Sequence, residues 1–198
     1  LKLITGLLFA ARGTVRALGQ DPAKRAPSFL LDVFVLAEDA QAPNMQAADY
    51  LRARAPFYPR FDRAAFERYL REFELPSTGN LAAFSHGQQK KFLLAFGLAS
   101  QARLVLLDEP TNGLDIPSKS VLRRVITEAL TPDRLFVIST HQVRDLGPLM
   151  DPIVILNRGR VLMNRTLAEI GAQLHMTQQS SAPPGDTPTL LLMRAAGR

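Results

Sequence analysis

Apolar positions along the chain follow two rhythms. Between Gln46 and Arg54, and again from Asp62 to Phe73, they recur at helical spacing, with Phe66, Tyr69, Leu70 and Phe73 on one face. After Gly87 a third helical stretch runs to about Ser100, carrying Phe92, Phe96 and Ala99. A fourth begins at Asp115–Pro117, since proline suits the first helical turn, and turns Val121, Leu122, Val125, Ile126 and Leu130 inward. Between these lie short continuous apolar runs: FLLDVFVL (Phe29–Leu36), LVLL (Leu104–Leu107), RLFVIST (Arg134–Thr140) and PIVIL (Pro152–Leu156). Continuous apolar runs of this length predict strands buried on both faces, and their alternation with helices predicts a mostly parallel α/β sheet.

The remaining text is read more coarsely. Leu1 to Ala11 has helical spacing, Thr14 to Gly19 is expected to form a short strand, and RGRV (Arg158–Val161) a hairpin turn bent at Gly159. A short helix is expected from Gln142. From about Asp39 to Ser77 the composition shifts to Ala, Arg, Glu and aromatics punctuated by Pro43, Pro56, Pro59 and Pro76, as in a helical subdomain inserted into an α/β core. From about Thr177, SSAPPGDTP has the composition of a flexible linker, and the closing TLLLMRAAGR allows one more strand or a loose end.

Composition narrows the class. There is no Cys among the 198 residues, which removes disulfides and thiol chemistry. The net charge of +6 comes from scattered residues with no basic run, so a solvated surface is expected rather than a nucleic-acid interface. No apolar run approaches the roughly 20 residues of a membrane span. The chain opens on Leu1 in the middle of an apolar pattern, as a sequence cut inside a longer helix would.

Three stretches carry candidate chemistry. Parallel sheets place ligands beyond the carboxyl ends of their strands. Asp108 and Glu109 follow LVLL, where one carboxylate can fix Mg²⁺ and the other orient a water; alone, such a pair fits a plain strand end equally well. His141 follows LFVIST and can reach a phosphate, or simply cap the strand. In FSHGQQKK (Phe84–Lys91), Ser85 is a good helix N-cap and Gly87 admits close approach of a ligand to backbone N–H groups; ordinary capping is the alternative.

Taken together, FSHGQQ, LVLLDEPTNGLD and VISTHQVRD, in this order and spacing, resemble the signature motif, Walker B strand with D-loop, and switch histidine of the ATP-binding-cassette (ABC) transporter ATPases, bacterial type. The resemblance covers Leu1 to about Gly171 and is densest from Phe84 to Asp145. It implies a P-loop NTPase-like fold over 1–171, with the helical subdomain at about 39–100 and a flexible tail over 172–198. By position, Asp108 would organise Mg²⁺, Glu109 would be the general base, and His141 would contact the γ-phosphate. Asp115 would communicate between subunits, and Ser85, Gly87 and Gln88 would address ATP held by a second subunit in a head-to-tail dimer. The signature departs from the usual LSGGQ at Phe84 and His86. A metal- or water-binding residue is expected after Phe29–Leu36; Glu38 stands near that position and Gln41 slightly later.

The resemblance further implies a cytoplasmic subunit, peripheral on the inner face of the membrane, bound to an integral membrane permease through the helical insert. Tyr50, Phe57 and Tyr58 are candidate contacts there, and the DEPTNGLD wording leans toward export. The phosphate-binding G-x-x-x-x-G-K-S/T occurs nowhere in the 198 residues. The opening LKLITGLL looks like the helix that follows that loop, so the family domain is expected to be N-terminally truncated and this polypeptide to hydrolyse ATP negligibly by itself. Two other readings stay open: a non-hydrolytic module lending its signature to a partner, and a soluble ABC ATPase acting on nucleic acid or ribosomes.

Overall fold

Each apolar run is cut to length by what flanks it. The computed structural model describes residues 1–146, 149–173 and 189–195. In chain order the elements are α1 (Pro27–Leu30), β1 (Val33–Leu36), α2 (Ala47–Arg54), α3 (Arg63–Glu72), α4 (His86–Ala99), β2 (Leu104–Asp108), α5 (Ile116–Ala129), β3 (Leu135–Thr140), α6 (Val143–Leu146), β4 (Ile153–Asn157), β5 (Arg160–Arg165), α7 (Leu167–Gln173) and β6 (Thr189–Ala195).

β1, β2 and β3 are parallel neighbours, with Leu36, Leu107 and Ile138 in one row and Asp108 beside Ser139 at the carboxyl edge. Alternation along the strands divides their side chains between two faces. Phe34, Val105, Leu107, Phe136 and Ile138 join the main core with α2–α5, while Val33, Leu104, Leu106 and Val137 pack on Phe29 of α1. The sheet order is β1-β2-β3-β6-β4-β5. β6 is antiparallel to both β3 and β4, so among the described residues four of the six strands of this sheet share one direction. The hairpin β4–β5 turns at Arg158 and Gly159, whose φ values of 47° and 74° suit a two-residue turn between right-twisted strands. Among the described residues, no helix is long and apolar enough to cross a membrane.

Some expectations change. Leu1–Leu8 forms hydrogen-bonded turns rather than a helix: Gly6 sits at φ 68°, and a Cβ there would stand 2.1 Å from Pro22 O, so the chain bends where the helix would continue. The expected strand at Thr14–Gly19 reduces to one bridge, Ala17 with Gln20, because Leu18 and Gly19 both take positive φ and reverse the chain. Phe29 and Leu30 belong to a helical turn started by Pro27, which delays β1 to Val33. Of the expected tail, residues 174–188 and 196–198 lie outside the described residues, whereas Thr189–Ala195 is a strand inside the sheet.

The helical insert shares its core with the sheet. Phe96 of α4 contacts the rings of Tyr50, Tyr58, Phe61, Phe66 and Phe34, with centroids 5.1 to 6.4 Å away. Gly97 lets α4 approach β1: a Cβ there would stand 2.0 Å from the Phe34 ring. Tyr50 is buried and Tyr58 half-buried, so of the three proposed contact residues only Phe57 is well exposed, at 62%.

Candidate functional site

The carboxyl edge gathers three loops, those following β1, β2 and β3. Glu109 is the first residue past β2 and holds φ 42°, a left-handed conformation uncommon for a residue with a side chain. Its N–H donates to Ser139 O at 2.9 Å, which keeps the strand ladder running one residue further. Its carboxylate turns toward β3. There Oε2 accepts from Thr140 Oγ1 at 3.0 Å, and Oε1 accepts from the His141 N–H at 2.9 Å and lies 2.7 Å from His141 Nδ1. Glu109 is 9% exposed, and the His141 side chain is half exposed. With Nδ1–H donating to the carboxylate, Nε2 is the ring nitrogen left to a ligand. Asp108, half-buried, accepts from the Ser139 hydroxyl on the same neighbouring strand. Asp108, Glu109 and His141, singled out from two separate strands, thus meet at one edge.

Ser85, Gly87 and Gln88 form a second group. Ser85 Oγ accepts from the Gln88 N–H at 3.3 Å and Gln88 Oε1 accepts from the Ser85 N–H at 2.9 Å, a reciprocal cap on α4. The capping alternative is therefore realised here. Gly87 has a packing reason of its own, since a Cβ would stand 3.1 Å from Gly113 O. The first turn of α4 thereby abuts the loop that leads to Asp115. Asp115 caps α5 by accepting from the Ser118 N–H at 2.7 Å. Hydrogen bonds from Ser118, aided by Lys91, hold its carboxyl below the usual range.

Lys90 ties the two groups together, and reading the sequence missed it. The side chain is 2% exposed, and Nζ donates to Glu109 O at 2.7 Å and Asn112 O at 3.0 Å. Burial pushes its ammonium below the usual lysine range, against the pull of Glu38, Glu109 and Asp108. Helical phase gave no signal for it, because α4 is buried at every position from Phe92 to Ala99 and Lys90 and Lys91 both stand in line with buried residues.

Asn112, Gln142 and Lys119 were also missed. Asn112 Nδ2 donates to Glu38 Oε1 at 2.8 Å, Gln142 Nε2 donates to Asn112 Oδ1 at 2.7 Å, and Lys119 Nζ donates to Gln142 Oε1 at 2.9 Å. Of the two candidates after β1, Glu38 is bonded into the site, while Gln41 is exposed next to Ala42, whose N–H donates to Gln89 Oε1. Among the described residues, no three His, Cys, Asp or Glu side chains converge into a metal cage, so Glu38 and Asp108 do not form one with a third ligand.

Known proteins resemble this chain in sequence and fold. A sequence model of the ABC transporter family matches residues 1–112, a span that includes Ser85, Gly87, Gln88, Asp108 and Glu109 and ends before Asp115 and His141. The chain is 28% identical to "ABC transporter ATP-binding protein YtrB" of Bacillus subtilis, over 79% of this chain and 54% of that protein. It is 32% identical to "Sulfate/thiosulfate import ATP-binding protein CysA 2" of Chromobacterium violaceum, over 86% of this chain and 48% of that one. The chain thus spans about half the length of these relatives. A solved structure, "Structure of ATP binding subunit of ABC transporter", superposes with a TM-score of 0.75 at 27% identity, covering 87% of this chain and 74% of that one. With more than half of its length matched by the family model, this chain belongs to the ABC transporter family.

Proposed function

We propose that the chain is the ATP-binding subunit of an ABC transporter and that ATP is handled at the edge formed by Asp108, Glu109 and His141. The observation that carries this reading is the meeting of Glu109 Oε1 with His141 Nδ1 at 2.7 Å, one residue from Asp108. Glu109 is the group to orient and deprotonate an attacking water, and His141, when its ring carries both protons, donates from Nε2 to a terminal phosphate while Nδ1 holds Glu109. Asp108 with the neighbouring Ser139 hydroxyl offers hard oxygen donors, which fits Mg²⁺, an ion that keeps several waters and takes one or two carboxylates plus substrate phosphates. When bound, Mg²⁺ would neutralise charge developing on the phosphates. Glu38, held by Asn112, is the second candidate for its hydration shell.

Transport across a membrane, rather than export in particular, is the reading the relatives support. The sulfate/thiosulfate relative is named for import, against the export leaning of the DEPTNGLD wording. The proposed partners are a permease in the membrane, with this subunit on its cytoplasmic face, and a second ATP-binding subunit. No G-x-x-x-x-G-K-S/T occurs in the 198 residues, so the phosphate cradle is not supplied by them. A polypeptide of these residues by itself is accordingly proposed to bind ATP weakly and to turn it over negligibly.

A second reading is a companion role, in which the exposed first turn of α4 at Ser85–Gln88 faces ATP held on the second subunit. Mixing the chain with a complete family subunit tests both roles. ATP hydrolysis that rises and depends on Ser85 supports the companion role. A rise that depends on Glu109 and persists in S85A supports hydrolysis at this chain's own edge, and no rise at any ratio contradicts both.

A further inference from the structure

Among the described residues, one run of polar side chains crosses all three loops of the carboxyl edge. It begins at Glu38 after β1, passes through Asn112 after β2 and Gln142 after β3, and ends at Lys119 on α5. Asp145 holds the far end, 2.7 Å from Lys119 Nζ. Both ends have fixed polarity. Lys119 can only donate, so Gln142 presents its oxygen to it and its amide nitrogen to Asn112. Asn112 must therefore accept through Oδ1 and donate through Nδ2, which meets a carboxylate at Glu38, an acceptor once ionised. Each amide thus has one orientation that satisfies the run, and reversing either would leave two like groups facing each other. The Asn112 backbone is fixed as well, its carbonyl held by Lys90.

We propose that Asn112 is a positioning residue that locks the loops after β1, β2 and β3 into one unit, so that a displacement of Glu38 is transmitted to the loop bearing His141. Asn112 reaches no reacting group. It acts through the side chains on either side of it, and the directional run makes it sensitive to polarity rather than size. That the three loops handle a nucleotide rests on the proposed function. The linkage rests on the hydrogen bonds alone and is testable without nucleotide.

Hydrogen exchange on the whole chain provides the test. The reporters are the N–H groups of Ala40 and Ala42 in the first loop and of His141 and Gln142 in the third, each bonded in this structure. N112D keeps the size of the side chain but sets a carboxylate against Glu38. It is expected to raise exchange in both loops by about tenfold, in keeping with loss of a hydrogen bond to a charged group. E38Q/N112D restores a donor facing an acceptor and is expected to return both loops to within about threefold of the parent. Should N112D fail to fold, Q142E removes the next donor and is expected to loosen Ala40 and Ala42, which it does not touch. Exchange that changes only within 109–115, a double variant no closer to the parent than N112D, or a Q142E effect confined to the third loop would each overturn the proposal. None of those results would bear on whether the edge binds ATP.

Discussion

His141 and Glu109 are joined twice, once through the backbone N–H and once through the ring, both to the same carboxylate oxygen. Glu109 Oε2 accepts from Thr140, so the carboxylate fastens the end of β3 to the start of the loop after β2. E109A would strip acceptors from Thr140 and His141 together and is expected to destabilise the fold by about 2 kcal/mol. E109Q, which keeps an oxygen acceptor, is expected to cost less. Urea midpoints of the two variants provide the comparison.

Gly97 has a steric role. An added methyl would stand 2.0 Å from the Phe34 ring, and that ring is wedged against Phe96 and Tyr58. G97A is expected to lose about 1 to 3 kcal/mol through overpacking. F34L/G97A should recover part of that loss, since the smaller side chain leaves room for the methyl. Equal midpoints for G97A and the parent would show that α4 does not sit this close to β1.

Arg134 is a buried cation held mainly by carbonyl oxygens. It donates to Ala102 O, Ala129 O and Leu98 O, the last two at the ends of α5 and α4, where the helix dipole favours positive charge. Burial lowers its pKa to about 10. R134M keeps much of the volume but leaves these carbonyls without a donor, and is expected to cost about 2 to 3 kcal/mol. R134K, with a single ammonium in place of the planar fork, should fall between the parent and R134M. Thermal denaturation of the three proteins orders them.

All three tyrosines ionise late. Burial pushes the Tyr58 phenol up to about 12 and raises Tyr50 and Tyr69 as well, in each case against a nearby arginine. A folded pKa above the unfolded value of roughly 10 means stability that is complete below pH 10 and lost as pH rises through about 12 for Tyr58. Tyrosinate absorbance near neutral-to-alkaline pH is the readout. The folded chain should show little at pH 10 and then a steep rise with unfolding, whereas a smooth titration centred at 10 would mean exposed phenols.

How far the sequence reveals this site depends on the range of the forces involved. Helices α3 to α5 are legible within a residue or two because their starts are local: Asp62, Ser85 and Asp115 are side-chain caps, and Pro117 stands in a first turn. The places of Asp108, Glu109 and His141 at the strand ends are legible because the runs LVLL and LFVIST stop just before them. Lys90, Asn112 and Gln142 are not, since their bonds join positions between 19 and 74 residues apart and exist only once α4 and the three loops meet. The opening turns are misread for a related reason. Apolar spacing at Leu1–Ala11 allows a helix, but the close approach of Gly6 to Pro22 decides otherwise. The place of β6 between β3 and β4 was equally hidden, because TLLLMRA has strand character without any mark of where it pairs.

The most direct measurement of the central claim is a titration of the chain with ATP and Mg²⁺, followed by backbone amide resonances. The predicted result is saturable shifts concentrated at Asp108, Glu109 and His141, with millimolar affinity, weakened by D108N, and with negligible turnover. Shifts scattered elsewhere, none at millimolar ATP, or micromolar binding with steady hydrolysis would contradict it.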